Sequence, residues 1–149
     1  MARVSTYLNF PGNTEEAFTF YRSVFGTEFS CGIARMGDGP GCPDMPPLSE
    51  AEKNLILHIE LPILGGHILM GTDACESMGL QCVAGNNVHL NLEPDTREEA
   101  DRLFNALSAD GKITTPMQEM FWGAYFGSFS DKFGIHWMIN CTTGPAPTH

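Results

Sequence analysis

Tyr7-Leu8-Asn9-Phe10-Pro11-Gly12-Asn13-Thr14-Glu15-Glu16-Ala17-Phe18 and His89-Leu90-Asn91-Leu92-Glu93-Pro94-Asp95-Thr96-Arg97-Glu98-Glu99-Ala100 read alike. Each is a short alternating strand, a proline-bearing turn and the start of a helix. Both share a Leu-Asn-apolar element and a Glu-Glu-Ala element. Asn13 or Thr14 in the first, and Asp95 or Thr96 in the second, suit the N-cap, and the acidic residues after them suit the positive end of a helix. The first helix carries Ala17, Phe18, Tyr21, Val24 and Phe25 at helical spacing and stops at Gly26. The second carries Ala100, Leu103, Phe104 and Leu107 and stops near Gly111.

Three strand-like segments follow each unit. In the first half they are residues 27–36, 54–62 and 67–72, the last two joined by a turn at Gly65-Gly66. In the second they are residues 112–117, 123–130 and 135–141, with Asp131-Lys132-Phe133-Gly134 as the hairpin turn. The order is βαβββ twice, which is the signature of a duplication. Gly65 and Gly134 take matching places in this reading, each with a His (His67, His136) opening a terminal strand. Module one then covers about residues 1–72, a linker about 73–86, module two about 87–141, and a Pro-bearing tail with His149 residues 142–149, expected to be disordered. Residues 37–47, rich in Gly and Pro, interrupt the plan as an exposed connection or a lid.

Composition narrows the function. The chain has 149 residues, 42% of them hydrophobic, with eight basic and 18 acidic residues and a net charge of −10. No cluster of Lys and Arg exists to neutralise phosphates, so nucleic acid is excluded as a partner. No apolar run approaches the roughly 18 residues of a membrane span, and the N-terminus does not open a signal peptide. The five cysteines, Cys31, Cys42, Cys75, Cys82 and Cys141, are odd in number and form no C-x-x-C. They read as free thiols in a reducing cytoplasm, with Cys42 the most exposed. A nucleophile elbow, a phosphate-binding loop and an H-E-x-x-H helix are all lacking.

The tandem βαβββ order resembles the vicinal oxygen chelate superfamily, which contains glyoxalase I, extradiol dioxygenases, fosfomycin-resistance enzymes and bleomycin-binding proteins. More closely, the chain resembles its PhnB-like branch. The resemblance is carried by Tyr7-Leu8-Asn9-Phe10, Glu16 through Tyr21, Phe25-Gly26, His58-Ile59-Glu60-Leu61, Trp122-Gly123, Phe126-Gly127, Asp131 through Gly134 and Trp137 through Asn140. It spans nearly the whole chain in the right order. It implies an α+β fold in which two curled mixed sheets surround a cleft, and a homodimer, for which the aromatics Phe121, Trp122, Tyr125 and Phe126 offer an anchor. A label attached to this branch speaks of a methyltransferase acting on a quinone precursor. No glycine-rich loop between a strand and a helix supports a nucleotide cofactor.

Strand alternation says which residues could face such a cleft. Val4, Thr6, Leu8 and Phe10 on the first strand, and Val88, Leu90 and Leu92 on its counterpart, should pack on the helices. That leaves Tyr7, Asn9, His89, Asn91 and Glu93 on the other side. On the third strand Leu55, Leu57, Ile59 and Leu61 oppose Ile56, His58 and Glu60, and Trp122 could form a flat wall. The metal-dependent relatives draw His, Gln or Glu from the first strand of each module and Glu from the last, a set that activates a bidentate oxygen substrate. His89 matches one such ligand. Its counterpart is Tyr7, or Ser5 if the gap is placed otherwise, and the last-strand positions fall at about Leu69 and Met138. The usual metal set is thus incomplete, although His58 or Glu60 leaves room for a divalent ion.

Two readings follow. In the first, the chain binds a small molecule through Tyr7, Asn9, His58, Asn91 and Trp122, with no cofactor required. In the alternative it is a metal-dependent lyase, isomerase or dioxygenase-type enzyme of the glyoxalase superfamily, with His89 and Glu60 catalytic and His89 a metal ligand. Whether it is an enzyme at all is left open by the residues.

Overall fold

The computed structural model describes residues 2–39 and 47–142. The chain divides into two compact units, Met1–Val83 and Ala84–His149. In the first unit β1 (Thr6–Phe10) leads into α1 (Thr14–Phe25). There follow β2 (Ala34–Arg35), the one-turn α2 (Glu50–Lys53), β3 (Ile56–Pro62) and β4 (Ile68–Asp73). In the second, β5 (Leu90–Leu92) and α3 (Arg97–Ser108) precede β6 (Lys112–Glu119), β7 (Tyr125–Ser130) and β8 (His136–Cys141). The sheets have the same topology, β1-β4-β3-β2 and β5-β8-β7-β6. In each, the first and last strands of the module are parallel neighbours (β1 with β4, β5 with β8) and the other neighbours are antiparallel. This is the βαβββ plan drawn twice, as open mixed sheets. Among the described residues no helix is long and apolar enough to cross a membrane.

The apolar spacing of each helix gives it one buried face. Ala17, Phe18, Tyr21 and Val24 of α1 are buried with Phe10, Ile59, Leu61 and Leu69 of the sheet. Ala100, Leu103, Phe104 and Leu107 of α3 are buried with Phe129, Trp137 and Ile139. The sheet must let the helix rings come close. A Cβ on Gly71 would lie 2.5 Å from the Phe18 ring, and one on Gly127 2.8 Å from the Phe104 ring.

The helix starts differ. Thr96 caps α3 from its own chain neighbourhood, its hydroxyl accepting the Glu99 N–H at 3.1 Å. In α1 the cap comes from across the sheet: Asp73 Oδ1 accepts the Thr14 N–H at 3.0 Å and the Thr14 hydroxyl at 2.6 Å. Asn13 makes no side-chain cap bond.

Four sequence expectations need correction. Residues 27–36 do not form one strand; only Ala34–Arg35 pair as β2. The stretch before them is tied to β3 by the Thr27 hydroxyl on the Pro62 carbonyl (2.6 Å) and the Ser30 N–H on the Glu60 carbonyl (3.1 Å). Ala34 stands opposite His58 and Arg35 opposite Ile56, so Leu57 is the extra residue of a bulge. The bulge breaks the alternation: Ile56 is buried and Leu57 is 44% exposed. Val4 and Val88, expected against the helices, precede their strands and are exposed. Finally, the two terminal hairpins match at Gly66 and Gly134, not Gly65 and Gly134. Both glycines have positive φ, at 79° and 87°, and their N–H groups bond the carbonyls of Ile63 and Asp131 respectively. His67 therefore corresponds to Ile135, and His136 to Ile68, so the two histidines lie on opposite faces of their sheets. Residues 40–46, most of the Gly/Pro insert and including Cys42, and residues 143–149 of the tail lie outside the described residues.

Candidate functional site

The face of the first sheet turned away from α1 carries Tyr7, Asn9, His58, Glu60, Met70 and Thr72, set there by alternation and by the β1–β4–β3 register, in which Tyr7 and Glu60 both stand beside Met70. Three of the expected site residues meet. The Tyr7 and His58 rings are tilted at a centroid distance of 5.9 Å, and His58 Nε2 lies 3.4 Å from Glu60 Oε1. Glu60 is the hub: its carboxylate also accepts the Ser30 hydroxyl at 3.1 Å and the Cys31 thiol at 3.8 Å, with the Arg3 guanidinium 3.9 Å away. Ser30 first, then His58 and Arg3, hold the Glu60 carboxyl below its ordinary value against the opposing effect of desolvation. Ser30, Cys31 and Arg3 were not legible as site residues, because nothing local in residues 27–33 states which strand they will lie beside.

A depressed folded-state pKa has a definite sign. Glu60 contributes stability that is fully present above the unfolded-state value, near the reference of 4.5, and is lost as pH falls through the lowered folded value. Carboxyl NMR should therefore find Glu60 titrating below an exposed glutamate, and Ser30→Ala should move its midpoint up. An unmoved midpoint would show that the Ser30 hydroxyl is not the controlling partner.

In the second unit His89 precedes β5, and the Leu90–Trp137 pairing sets it abreast of His136, ring centroids 5.3 Å apart. His136 Nε2 bonds the Gly85 carbonyl at 2.9 Å. Asn91 stands beside Met138, and Asn140 follows on the same face. Glu93 lies past the end of β5 and is exposed. His136 could have been found by alternation along β8, which groups it with Met138 and Asn140. Trp122 sits in the β6–β7 connection, stacked edge-on with Phe121 at 5.0 Å and Phe126 at 6.2 Å. Phe121 is 91% exposed and Trp122 54%. Tyr7, Asn9, His58 and Glu60 thus belong to one unit, and His89, Asn91 and Trp122 to the other.

The strand registers settle which residue corresponds to His89. Tyr7 pairs Met70 and Asn91 pairs Met138, and the two methionines occupy equivalent places. Tyr7 therefore matches Asn91, and Ser5 matches His89. On the last strands Leu69 is buried on the helix side, so the residues on the open face are Met70 and Thr72, and Met138 and Asn140. A hydroxyl, two thioethers and an amide do not replace the carboxylates and imidazoles of a divalent-metal set. Among the described residues no three His, Cys, Asp or Glu side chains gather to hold an ion. The described residues do not fit a divalent metal of this kind.

A family model described as 3-demethylubiquinone-9 3-methyltransferase matches residues 2–140. The chain belongs to this family, which is the PhnB-like family. It is 35% identical over 142 residues to Protein YjdN of Escherichia coli (strain K12), covering 92% of this chain and 93% of that one. Protein PA1353 of Pseudomonas aeruginosa is 33% identical, with a TM-score of 0.79 over 95% of this chain and 98% of its own. A PhnB protein from Bacillus cereus is 27% identical, with a TM-score of 0.72 over 94% and 99%. More distant structures, among them a glyoxalase/bleomycin resistance protein/dioxygenase family enzyme of Burkholderia phytofirmans, share the fold alone. The methyl transfer in the family's description calls for a donor cofactor. A nucleotide-type donor sits at the crevice of a doubly wound parallel sheet, against a helix N-terminus. Here each sheet has a single parallel pair, and the N-terminus of α1 is closed by Asp73. The described residues do not fit such a cofactor.

Proposed function

We infer that this PhnB-like protein binds a small molecule in the cytoplasm and does so without the superfamily's usual metal. The observation that carries the reading is the grouping of Tyr7, His58 and Glu60 on the open face of the first sheet. An aromatic wall, an imidazole and a carboxylate kept ionised offer stacking, donor and acceptor groups to one ligand. Asn9 extends this set on the same sheet; Asn91, Trp122 and His89 are proposed as ligand-binding residues of the second unit. Cys31, Cys75 and Cys82 carry thiols rather than disulfides among the described residues, which supports a reducing compartment.

Thermal-shift screening of the full chain against metabolites and antibiotics tests the reading. A true ligand at about 100 times its Kd adds about 2.7 kcal/mol to stability. Replacing His58 by Ala should then weaken that ligand by about 5–30-fold, the worth of one or two lost hydrogen bonds. No stabilising compound across a saturating library would overturn it.

A second reading, a lyase or isomerase of glyoxalase type with His89 and Glu60 catalytic, draws on the closeness of the His89 and His136 imidazoles. Metal analysis of protein purified without chelators separates the two. Stoichiometric metal, with turnover gained on adding nickel, zinc, cobalt or manganese, favours the enzyme; neither favours the binder.

The protein is further proposed to be a homodimer, supported by the exposed aromatic cluster of Phe121 and Trp122 beside Phe126. Sedimentation equilibrium at micromolar concentration should give twice the 16.3 kDa chain mass. A single species at the chain mass would make the dimer wrong.

A further inference from the structure

A second feature of the first unit lies at the free edge of its sheet. A cavity of about 460 Å³ is lined by residues 7–9 of β1, by Ala74 and by residues 80–83. That volume falls in the range of roughly 300–1,000 Å³ typical of ligand pockets. β1 is the terminal strand, paired with β4 on one side only. Its backbone alternates accordingly. The Phe10 carbonyl turns inward and accepts the Ala74 N–H at 2.7 Å, while the Asn9 carbonyl turns outward and accepts the Cys82 thiol at 3.4 Å. Tyr7 shares the parity of Asn9, so its N–H and C=O, and the N–H of Asn9, also point to the cavity side. Such outward backbone groups on an edge strand are a template for pairing with another amide edge.

None of the lining residues carries a charge, in a chain whose net charge is −10. Leu8, Leu80 and Val83 are its apolar lining residues, and Tyr7 both lines this cavity and lies beside His58. The lining offers an ion no opposite charge, whereas a neutral amide edge would pair with the outward N–H and C=O groups.

We propose that this cavity is a binding pocket for a small uncharged molecule bearing an N–H donor next to a C=O acceptor, such as a lactam, a ureide or an N-acyl amide, docked along the edge of β1. The proposal rests on the reading of the protein as a small-molecule binder and gives it a place and a ligand class.

Cys82 reports on occupancy. The full chain is alkylated with a maleimide, and labelling is resolved by peptide mass. The probes are N-acetylphenylalaninamide against N-acetylphenylalanine, and hydantoin against hydantoate, each at millimolar concentration. The neutral member of each pair should slow labelling of Cys82 at least about fivefold, as occupancy near saturation requires, and leave the exposed Cys31 unchanged. Ala74→Phe, which fills the cavity, should abolish the protection; Val83→Phe, at an exposed position, gives the same readout should the first variant fold poorly. Protection by the carboxylates equal to that by the amides overturns the ligand class. A compound that stabilises the protein through His58 yet leaves Cys82 labelling unchanged overturns the pocket while the binding reading stands. A thermal-shift library with no stabilising compound counts against the binding reading itself.

Discussion

Asp73→Ala is expected to destabilise the first unit by about 3–5 kcal/mol, because it strands three donors in the core. The Asp73 side chain is buried and accepts the N–H and the hydroxyl of Thr14 through one oxygen and the Ile56 N–H, at 2.8 Å, through the other. It thereby ties the start of α1 and the start of β3 to the end of β4. Each buried donor left unpaired costs about 1–3 kcal/mol, and water has little room to replace the carboxylate. Asp73→Asn keeps one acceptor but turns an amide N–H₂ toward a donor, so it should recover only part of the loss. Urea unfolding followed by circular dichroism measures both variants. A loss below about 1 kcal/mol for Asp73→Ala would mean that the three donors find other partners.

Trp137→Ala is the second large effect, expected to cost about 3–5 kcal/mol in the second unit. Trp137 is fully buried, and its indole N–H donates to Asp131 Oδ2 at 2.9 Å. Asp131 Oδ1 meanwhile accepts the N–H groups of Phe133 and Ile135, holding the β7–β8 hairpin. Truncation thus removes an aromatic side chain from beneath α3 and leaves a buried carboxylate oxygen short of a donor. Trp137→Phe separates the two contributions: most of the packing is kept and the hydrogen bond is lost, for about 1–2 kcal/mol. The chain has two tryptophans, so this variant leaves Trp122 as the lone indole probe of unfolding. Equal losses for the Ala and Phe variants would assign the whole effect to the Asp131 bond.

The duplication was readable because it is written in local signals. The Leu-Asn-apolar strand, the Pro turn and the apolar spacing of Ala17, Phe18, Tyr21 and Val24 each act over a few residues, and all became the elements they predict. The candidate site was readable in part. Alternation put Tyr7, His58 and Glu60 on one face, where two of the distances between them are now explicit. It missed Ser30 and Cys31, whose approach to Glu60 depends on a pairing across 30 and 29 residues, and it grouped His136 with His67 because a hairpin was aligned one glycine out of step.

What the sequence determines by itself is therefore the order of the main strands and helices and the apolar faces of α1 and α3, since these follow from backbone sterics and side-chain periodicity within one element. What only the tertiary structure decided is register and partnership. The bulge at Leu57 reverses the side to which Ile56 turns, the β1–β4 and β5–β8 pairings make Ser5 rather than Tyr7 the counterpart of His89, and Asp73 caps a helix 59 residues away. The physical reason is that a strand offers hydrogen bonds of nearly equal quality in several registers. The choice among them is made by the packing of whole faces, such as Phe18 against Gly71, a collective quantity that no short stretch of sequence encodes.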